Sequence, residues 1–314
     1  MERNENAVSG TGAEKMRDPE LAKKLGHYQK TAKMTLVLGL AGVLCGIIAF
    51  FAVQDTAIKT IAVIVLFGGG LCCALFGGDA ARKKLKALMQ EQYGEFFRTE
   101  FEKAFGTDMP TKEMSIDRTL MEALWPPDGR WEECETEKLH EGSYRGVRFS
   151  AANARLYHVY ERGTVREGKE THRDMVLNGL VVRCKTRLRA SAPLRAAVRS
   201  AEAEHTLMTG CEAFDGRFCA DGNEQDVSRL LTRQFAQRLI DFEKNAEGRI
   251  SAICWDGGVF SMALETDYSF ASVAGNVDLA DADAVCRSYI SSLREMEKLL
   301  DVLFENTDVF AAGE

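Results

Sequence analysis

Residues 34–53, MTLVLGLAGVLCGIIAFFAV, and residues 57–78, AIKTIAVIVLFGGGLCCALFGG, decide how this chain is organised. A helix rises about 1.5 Å per residue, and about 20 apolar residues cross a hydrocarbon core roughly 30 Å thick. Both runs meet that length. The charges near them are Asp55, in the gap, and Lys59, just after it. Gln54-Asp55-Thr56 leaves room only for a tight turn, so the runs predict a transmembrane helical hairpin. A cleaved signal peptide is the rival reading of the first run. It fits poorly, because a long polar segment precedes the run, the run exceeds an h-region, and a second span follows at once.

The flanks set the orientation. Lys23, Lys24, Lys30 and Lys33 precede the first run, and Arg82, Lys83, Lys84 and Lys86 follow the second. Cationic side chains stay on the cytoplasmic side, so the reading is a multi-pass inner-membrane protein with both termini cytoplasmic. The chain then divides into a polar cytoplasmic tail over 1–33, the hairpin over 34–78, a basic juxtamembrane helix over 79–107, and a cytoplasmic α+β domain over 108–314. The four basic residues after the second run are placed to meet anionic headgroups, each worth on the order of 1 kcal/mol at the surface.

Small residues mark one face of each span. Gly39, Gly42 and Gly46 recur along the first, and Gly70, Ala74 and Gly78 repeat every four residues in the second. Such faces let helix backbones approach closely in lipid. Packing between the two helices of one hairpin is the plainer reading, and self-association into a homo-oligomer the sharper one. A small pore is disfavoured, because neither span carries a polar stripe.

Beyond the membrane, Leu85, Leu88, Met89, Tyr93, Phe96, Phe97, Phe101 and Phe105 recur at helical spacing until Gly106 supplies a stop. The stripe Phe97, Phe101, Phe105 predicts packing against the following domain. Ser115 is positioned to cap a short helix ending near Leu124, and Arg130 to Glu141 reads as a charged loop. Strand patterns cover Tyr144–Phe149, Arg155–Tyr160, Met175–Cys184 and Phe214–Cys219, with Glu161–Asp174 as a charged hairpin loop. A cap at Asn223 opens a helix through Val227, Leu230, Leu231, Phe235, Leu239 and Phe242 to Gly248. Ile250–Trp255, the turn Asp256-Gly257-Gly258 and Val259–Leu264 form a β-hairpin. Asp281 or Asp283 starts a last helix carrying Val285, Tyr289, Leu293, Met296, Leu299, Leu300 and Leu303. The uneven order of strands and helices predicts an α+β class with a mostly antiparallel sheet.

The formal net charge of −7 argues against nucleic acid as a partner, since phosphate binding needs a basic face. Nine cysteines with no C-x-x-C spacing fit a reducing compartment and support no zinc site. The five histidines are dispersed, with no H-E-x-x-H. Glu133, Glu135 and Glu137 alternate without an ordered ligand pattern, which reads as a solvated acidic stretch rather than a cation site. His172-Arg173-Asp174 matches three letters of a kinase catalytic loop, but Asn178 is one residue short and no Gly-rich loop or D-F-G accompanies it. Gly68-Gly69-Gly70 lacks the G-K-[ST] ending of a phosphate loop. The sequence thus predicts no catalytic, cofactor-binding or metal-binding residue.

Phe214-Asp215-Gly216-Arg217-Phe218 through Asp226, Leu230-Leu231-Thr232, the helix to Phe242, and Ile250–Leu264 together resemble the bacterial membrane-protein family named domain of unknown function 3137. Met175–Lys185, MVLNGLVVRCK, is similar to that family's sheet segment, with Leu177-Asn178 replacing its usual aromatic and basic pair. The resemblance implies paired transmembrane helices, a basic helix and a β-rich domain; it implies no activity. The functional expectation is a bilayer-embedded protein whose cytoplasmic domain binds a protein partner or tethers it to the membrane. The alternative is a membrane-bound enzyme or a lipid-handling protein.

Overall fold

A computed structural model of the chain describes residues 19–52, 60, 64–69, 79–106, 115–124, 131–137, 139–162, 170–198, 207–245, 248–305 and 307–310. Two compact units emerge. One takes Met1–Thr99 with Gly275–Ser288, the other Glu100–Ala274 with Tyr289–Glu314.

In the first unit, helix α1 (Pro19–Ala52) is continuous through the expected boundary at residue 33. The last part of the expected polar tail is therefore helical and runs without a break into the first apolar run. Among the described residues, Lys23–Ala52 is long and apolar enough to cross a membrane. From Met34 onward most of its large apolar side chains are bare, with Phe51 81% and Val37 62% exposed. Of the second run, residues 60 and 64–69 are described, and Ile64–Gly68 form a short π-helical turn. Helix α2 (Asp79–Phe105) ends where expected, at Gly106, whose φ of +65° suits glycine. The amphipathic base of α1 clasps the segment before the last helix. The Gln29 amide donates to the Val277 carbonyl at 2.7 Å and accepts from the Leu279 N–H at 3.1 Å, with Leu25 fully buried beside it.

The second unit is an α+β domain around an antiparallel sheet. Its strands are β1 (Glu133–Thr136), β2 (His140–Tyr144), β3 (Val147–Arg162), β4 (Glu170–Lys185), β5 (Leu194–Val198), β6 (Phe218–Asp221), β7 (Arg249–Asp256) and β8 (Val259–Glu265). The order is β1-β3-β4-β8-β7-β5-β6, with β2 beside β1 on the same edge of β3, and every pairing is antiparallel. One face is covered by α3 (Arg118–Leu124), where Leu120, Met121 and Leu124 meet Ala152, Leu156, Val181, Ala252 and Ala263. On the other face lie α6 (Arg233–Asn245) and α7 (Ala282–Phe304). There Phe235 contacts Trp255 and Phe260 edge-on, at ring separations of 6.0 and 6.2 Å. Phe101 and Phe105 are buried against Phe149 and Phe270, so the C-terminal part of the aromatic stripe packs on this domain.

Several local expectations are corrected. The charged segment 130–141 contains strand β1 and the start of β2 rather than a loop. Tyr144–Phe149 is not one strand. It holds a two-residue turn in which Arg145 and Gly146 have φ of 49° and 78°, the twist a tight hairpin prefers. The β3–β4 arms run into the expected loop, to Arg162 and from Glu170. Phe214–Cys219 begins as a helical turn, α4 (Glu212–Arg217), and becomes strand only at Phe218. Asp117, not Ser115, caps α3, accepting the Leu120 N–H at 3.2 Å. The expected single helix after Asn223 is two. Asn223 caps α5 (Glu224–Leu230), accepting from Gln225 at 2.8 Å, and Thr232 restarts the chain by accepting the Phe235 N–H at 3.3 Å.

Candidate functional site

Helices α6 and α7 both cover the sheet, yet they do not meet along their whole length. Each is amphipathic. Phe235, Ala236, Leu239 and Ile240 form the buried stripe of α6; Val285, Tyr289, Leu293, Met296, Leu300 and Leu303 form that of α7. Where the stripes diverge, a groove of about 340 Å³ remains, within the range of small-ligand sites. Its floor is apolar: Leu180 from β4, Leu264 from β8, Phe242 from α6, and Met296, Leu299 and Val302 from α7. Its rim is charged, and the charges are matched. Arg238 lies 3.8 Å from Glu305 and Lys298 2.7 Å from Glu295, while Asp241 on the rim is paired at 3.2 Å with Lys244 outside the lining. Tyr268 closes one end, its hydroxyl donating to the Ser292 carbonyl. Burial, aided by Glu295, pushes that phenol above its ordinary range, so it stays a donor.

A second crevice of about 150 Å³ lies beside it, lined by Glu135, Glu137, Asn153, Arg155 and Asn178. Asn153 is its hub. It donates to Glu137 at 2.9 Å and to the Phe270 carbonyl at 3.2 Å, and accepts the Phe270 N–H at 2.8 Å. These bonds pin the loop after β8 onto β3, which is a structural task.

The acidic alternation is likewise committed. On edge strand β1, Glu133 and Glu135 lie 2.8 and 2.7 Å from Arg173, which also stacks over Tyr157 at 3.6 Å. Hydrogen bonding from Arg173 holds the Glu135 carboxyl below its usual value. The stretch is thus an ion-paired strand rather than a free acidic loop, and His172-Arg173-Asp174 sits within β4. His158 pairs with Glu132 at 3.0 Å, and His172 stacks on Tyr160 with centroids 5.5 Å apart. Among the described residues, no group of three or more His, Cys, Asp or Glu could hold a metal ion.

The buried acids serve the fold. Asp215 accepts from the Thr209 N–H and hydroxyl, at 2.9 and 2.8 Å, and from the Gly210 N–H at 3.1 Å. Asp226 accepts from the Ser191 N–H and hydroxyl at 2.7 and 2.6 Å, while Arg217 bonds Glu243. These residues of the family-like segment therefore tie loops and helices together.

The residues singled out in the two apolar runs and the basic segment after them fall as follows. Gly39 and Gly46 are buried and Gly42 is half-buried along α1. A Cβ on Gly46 would lie 2.8 Å from the Cβ and the backbone N of Phe67, so the two runs touch backbone to backbone there. Gly70, Ala74 and Gly78 lie outside the described residues. Lys83, Lys84 and Lys86 are exposed on α2, with the Lys84 ammonium 5.8 Å from the Tyr28 ring; the Arg82 side chain lies outside the described set. The groove had no sequence signature of its own. Phe242, Glu295 and Val302 look like ordinary helix positions until α6 and α7 are set side by side.

No family model matches the chain, and no curated protein matches it. Among solved structures, it is similar to the crystal structure of the mycobacterial trehalose monomycolate transport factor A, TtfA, with 13% identity, 47% of this chain and 74% of that chain covered, and a TM-score of 0.20. A likeness at that score carries no argument about fold or function.

Proposed function

We propose that the protein is a membrane-anchored binding module. The two apolar runs form a hairpin in the inner membrane with both termini cytoplasmic, and Arg82, Lys83, Lys84 and Lys86 rest against anionic headgroups. In this reading the chain is a member of the family of domain of unknown function 3137. The groove between α6 and α7 captures apolar side chains of a protein partner and so holds that partner at the membrane.

One observation carries the reading: the groove has an apolar floor and a rim whose charges are matched with one another. Catalysis calls for ionisable groups converging on a reacting atom, whereas recognition calls for a dry floor and a polar margin. The same floor favours one second reading, a lipid-handling domain, because about 340 Å³ suits an acyl chain as well as side chains.

The test fills the groove. Val302 is half-buried on its floor, and Val302→Trp occupies the space without removing a rim charge. Affinity capture from mildly solubilised membranes with wild type and Val302→Trp compares bound proteins, and mass spectrometry of the same preparations compares bound lipids. A protein lost by about tenfold or more in the variant supports partner capture. A lipid lost instead supports the second reading. Identical protein and lipid profiles would sink both.

A further inference from the structure

The groove and the polar crevice share a wall, since Thr266 and Tyr268 line both of them. Strand register explains why. Asn153 on β3 pairs with Leu180 on β4, which pairs with Leu264 on β8, and Arg155 pairs with Asn178 one row further along. Paired residues share a face, and successive rows on that face are two residues apart, so the apolar floor of the groove passes directly into the crevice. Beyond Arg155 the same row reaches Glu135 on edge strand β1. Along one sheet face the lining thus changes from Leu, Phe and Met to Asn, Thr and Ser. Tyr268 stands at the change, held by its bond to Ser292.

The charges of the crevice are already engaged. Arg155 donates through Nε to the Asn178 side-chain carbonyl at 3.3 Å and lies 3.9 Å from Glu135 and 3.6 Å from Glu137. Glu137 also accepts from Asn153, and Glu135 from Arg173. A phosphate would meet an arginine that already faces two carboxylates. An ammonium would meet carboxylates that arginines already hold, so either charged group gains little. Neutral groups are left over. The amide N–H groups of Asn178 and the hydroxyls of Thr136 and Ser269 line the crevice and have no partner among the described residues. An amide N–H donates and a hydroxyl both donates and accepts, a set that hydroxyl groups of a ligand satisfy. At about 150 Å³ the crevice is smaller than the roughly 300–1,000 Å³ of a whole ligand site, so it suits one small group.

We propose, building on the lipid-handling reading of the groove, that groove and crevice form one site for a single-chain lipid with an uncharged, glycerol-sized head. The chain lies on Leu180, Leu264 and Val302, and the hydroxylated head meets Asn178, Thr136 and Ser269. An apolar trough that ends in uncharged hydrogen-bonding groups matches an amphiphile end for end. Met296 in the groove wall is unbranched and adaptable, which suits a flexible chain.

The experiment uses membrane vesicles from cells expressing the full chain. Three probes carry a photoreactive diazirine in the same acyl chain and differ in the head: a monoacylglycerol, a lysophosphatidic acid and an acyl glucoside. Mass spectrometry maps the crosslinked peptides, and labelling of α1 is the reference for probe merely dissolved in the bilayer. Relative to α1, the monoacylglycerol should label the peptide around Val302 about threefold to tenfold more than the lysophosphatidic acid. Val302→Trp should remove most of that labelling. Thr136→Val combined with Ser269→Ala changes two exposed positions, so the fold is not at stake. This pair should lower labelling by the monoacylglycerol about threefold to tenfold and leave that by the lysophosphatidic acid as it was. Equal labelling by all heads, or no effect of the pair, would overturn the inference while an acyl-chain groove stands. Stronger labelling by the glucoside would overturn the glycerol-sized head. Absence of groove labelling with every probe would overturn the lipid reading as well. Capture of a protein partner, read from proteins lost in Val302→Trp, would survive that failure.

Discussion

Phe235 shows how much one side chain can carry in this domain. It is 1% exposed and its ring meets Trp255, Phe260 and Phe310 at 6.0, 6.2 and 6.0 Å. Truncating such a residue costs about 3–5 kcal/mol, against a total of roughly 5–15. Phe235→Ala should therefore shift the denaturation midpoint sharply or unfold the domain. Arg238→Ala, on the exposed side of the same helix, should move it little, because its 3.8 Å pair with Glu305 is solvent-screened. Equal midpoints for wild type and Phe235→Ala would mean the helix face is misassigned. Asp226 adds a pH dependence. Burial alone would raise its carboxyl, but hydrogen bonds from Ser191 and Ala192, with the field of Arg229, hold it below the usual value. A depressed carboxylate contributes stability that is complete above the unfolded value near about 3.9 and lost as pH falls through the folded one. Asp226→Ala should cost about 1–3 kcal/mol at pH 7 by leaving the Ser191 N–H without its acceptor. That difference should shrink in urea titrations toward pH 3, and a constant difference across pH would contradict the assignment.

At the scale of elements, Gly179 is the most constrained point on the sheet. It opens the β4–β8 ladder opposite Glu265, and a Cβ there would fall 1.8 Å from the Leu264 carbonyl oxygen. No rotamer relieves a clash with backbone. Gly179→Ala should destabilise the domain by about 1–3 kcal/mol or more, while Gly257→Ala, with open space around it, tests only the strain of a φ of +56°. If Gly179→Ala left amide exchange along Val181–Arg183 unchanged, the pairing would be wrong. The elements also explain what could be read in advance. Ile250–Leu264 was legible because two alternating apolar strands flank a Gly-Gly turn. Strand β1 was not, because an edge strand that pairs Glu133 and Glu135 with Arg173 buries no apolar face. Phe214–Cys219 is too short for periodicity to separate a helical turn from a strand. The break at Leu231-Thr232 is invisible to hydrophobic spacing, since Val227, Leu230, Phe235 and Leu239 keep nearly the same rhythm across it. The groove depends on which strands and helices become neighbours, and no local pattern encodes that.

For the whole molecule, the decisive question is the path of the chain across the bilayer. Among the described residues, α1 is the one helix long and apolar enough to span a bilayer, and Gly46 closely approaches Phe67, midway along the second apolar run. If the hairpin holds, Thr56 faces outward and Ala81 the cytoplasm, because the basic residues cluster before α1 and along the start of α2. In a variant lacking Cys45, Cys72 and Cys73, a cysteine at Thr56 should react with an impermeant thiol reagent on intact cells, and one at Ala81 should react only after lysis. Labelling at Ala81 but not Thr56 would invert the orientation and put the groove outside the cell. Protection of both sites until lysis would remove the hairpin. A single-span protein would label on opposite sides of α1, at residues before Lys23 or after Ala52 but not both. Each outcome also bears on the groove. A cytoplasmic groove can meet cytosolic proteins, whereas an external one cannot, so the orientation decides which partners it is able to hold.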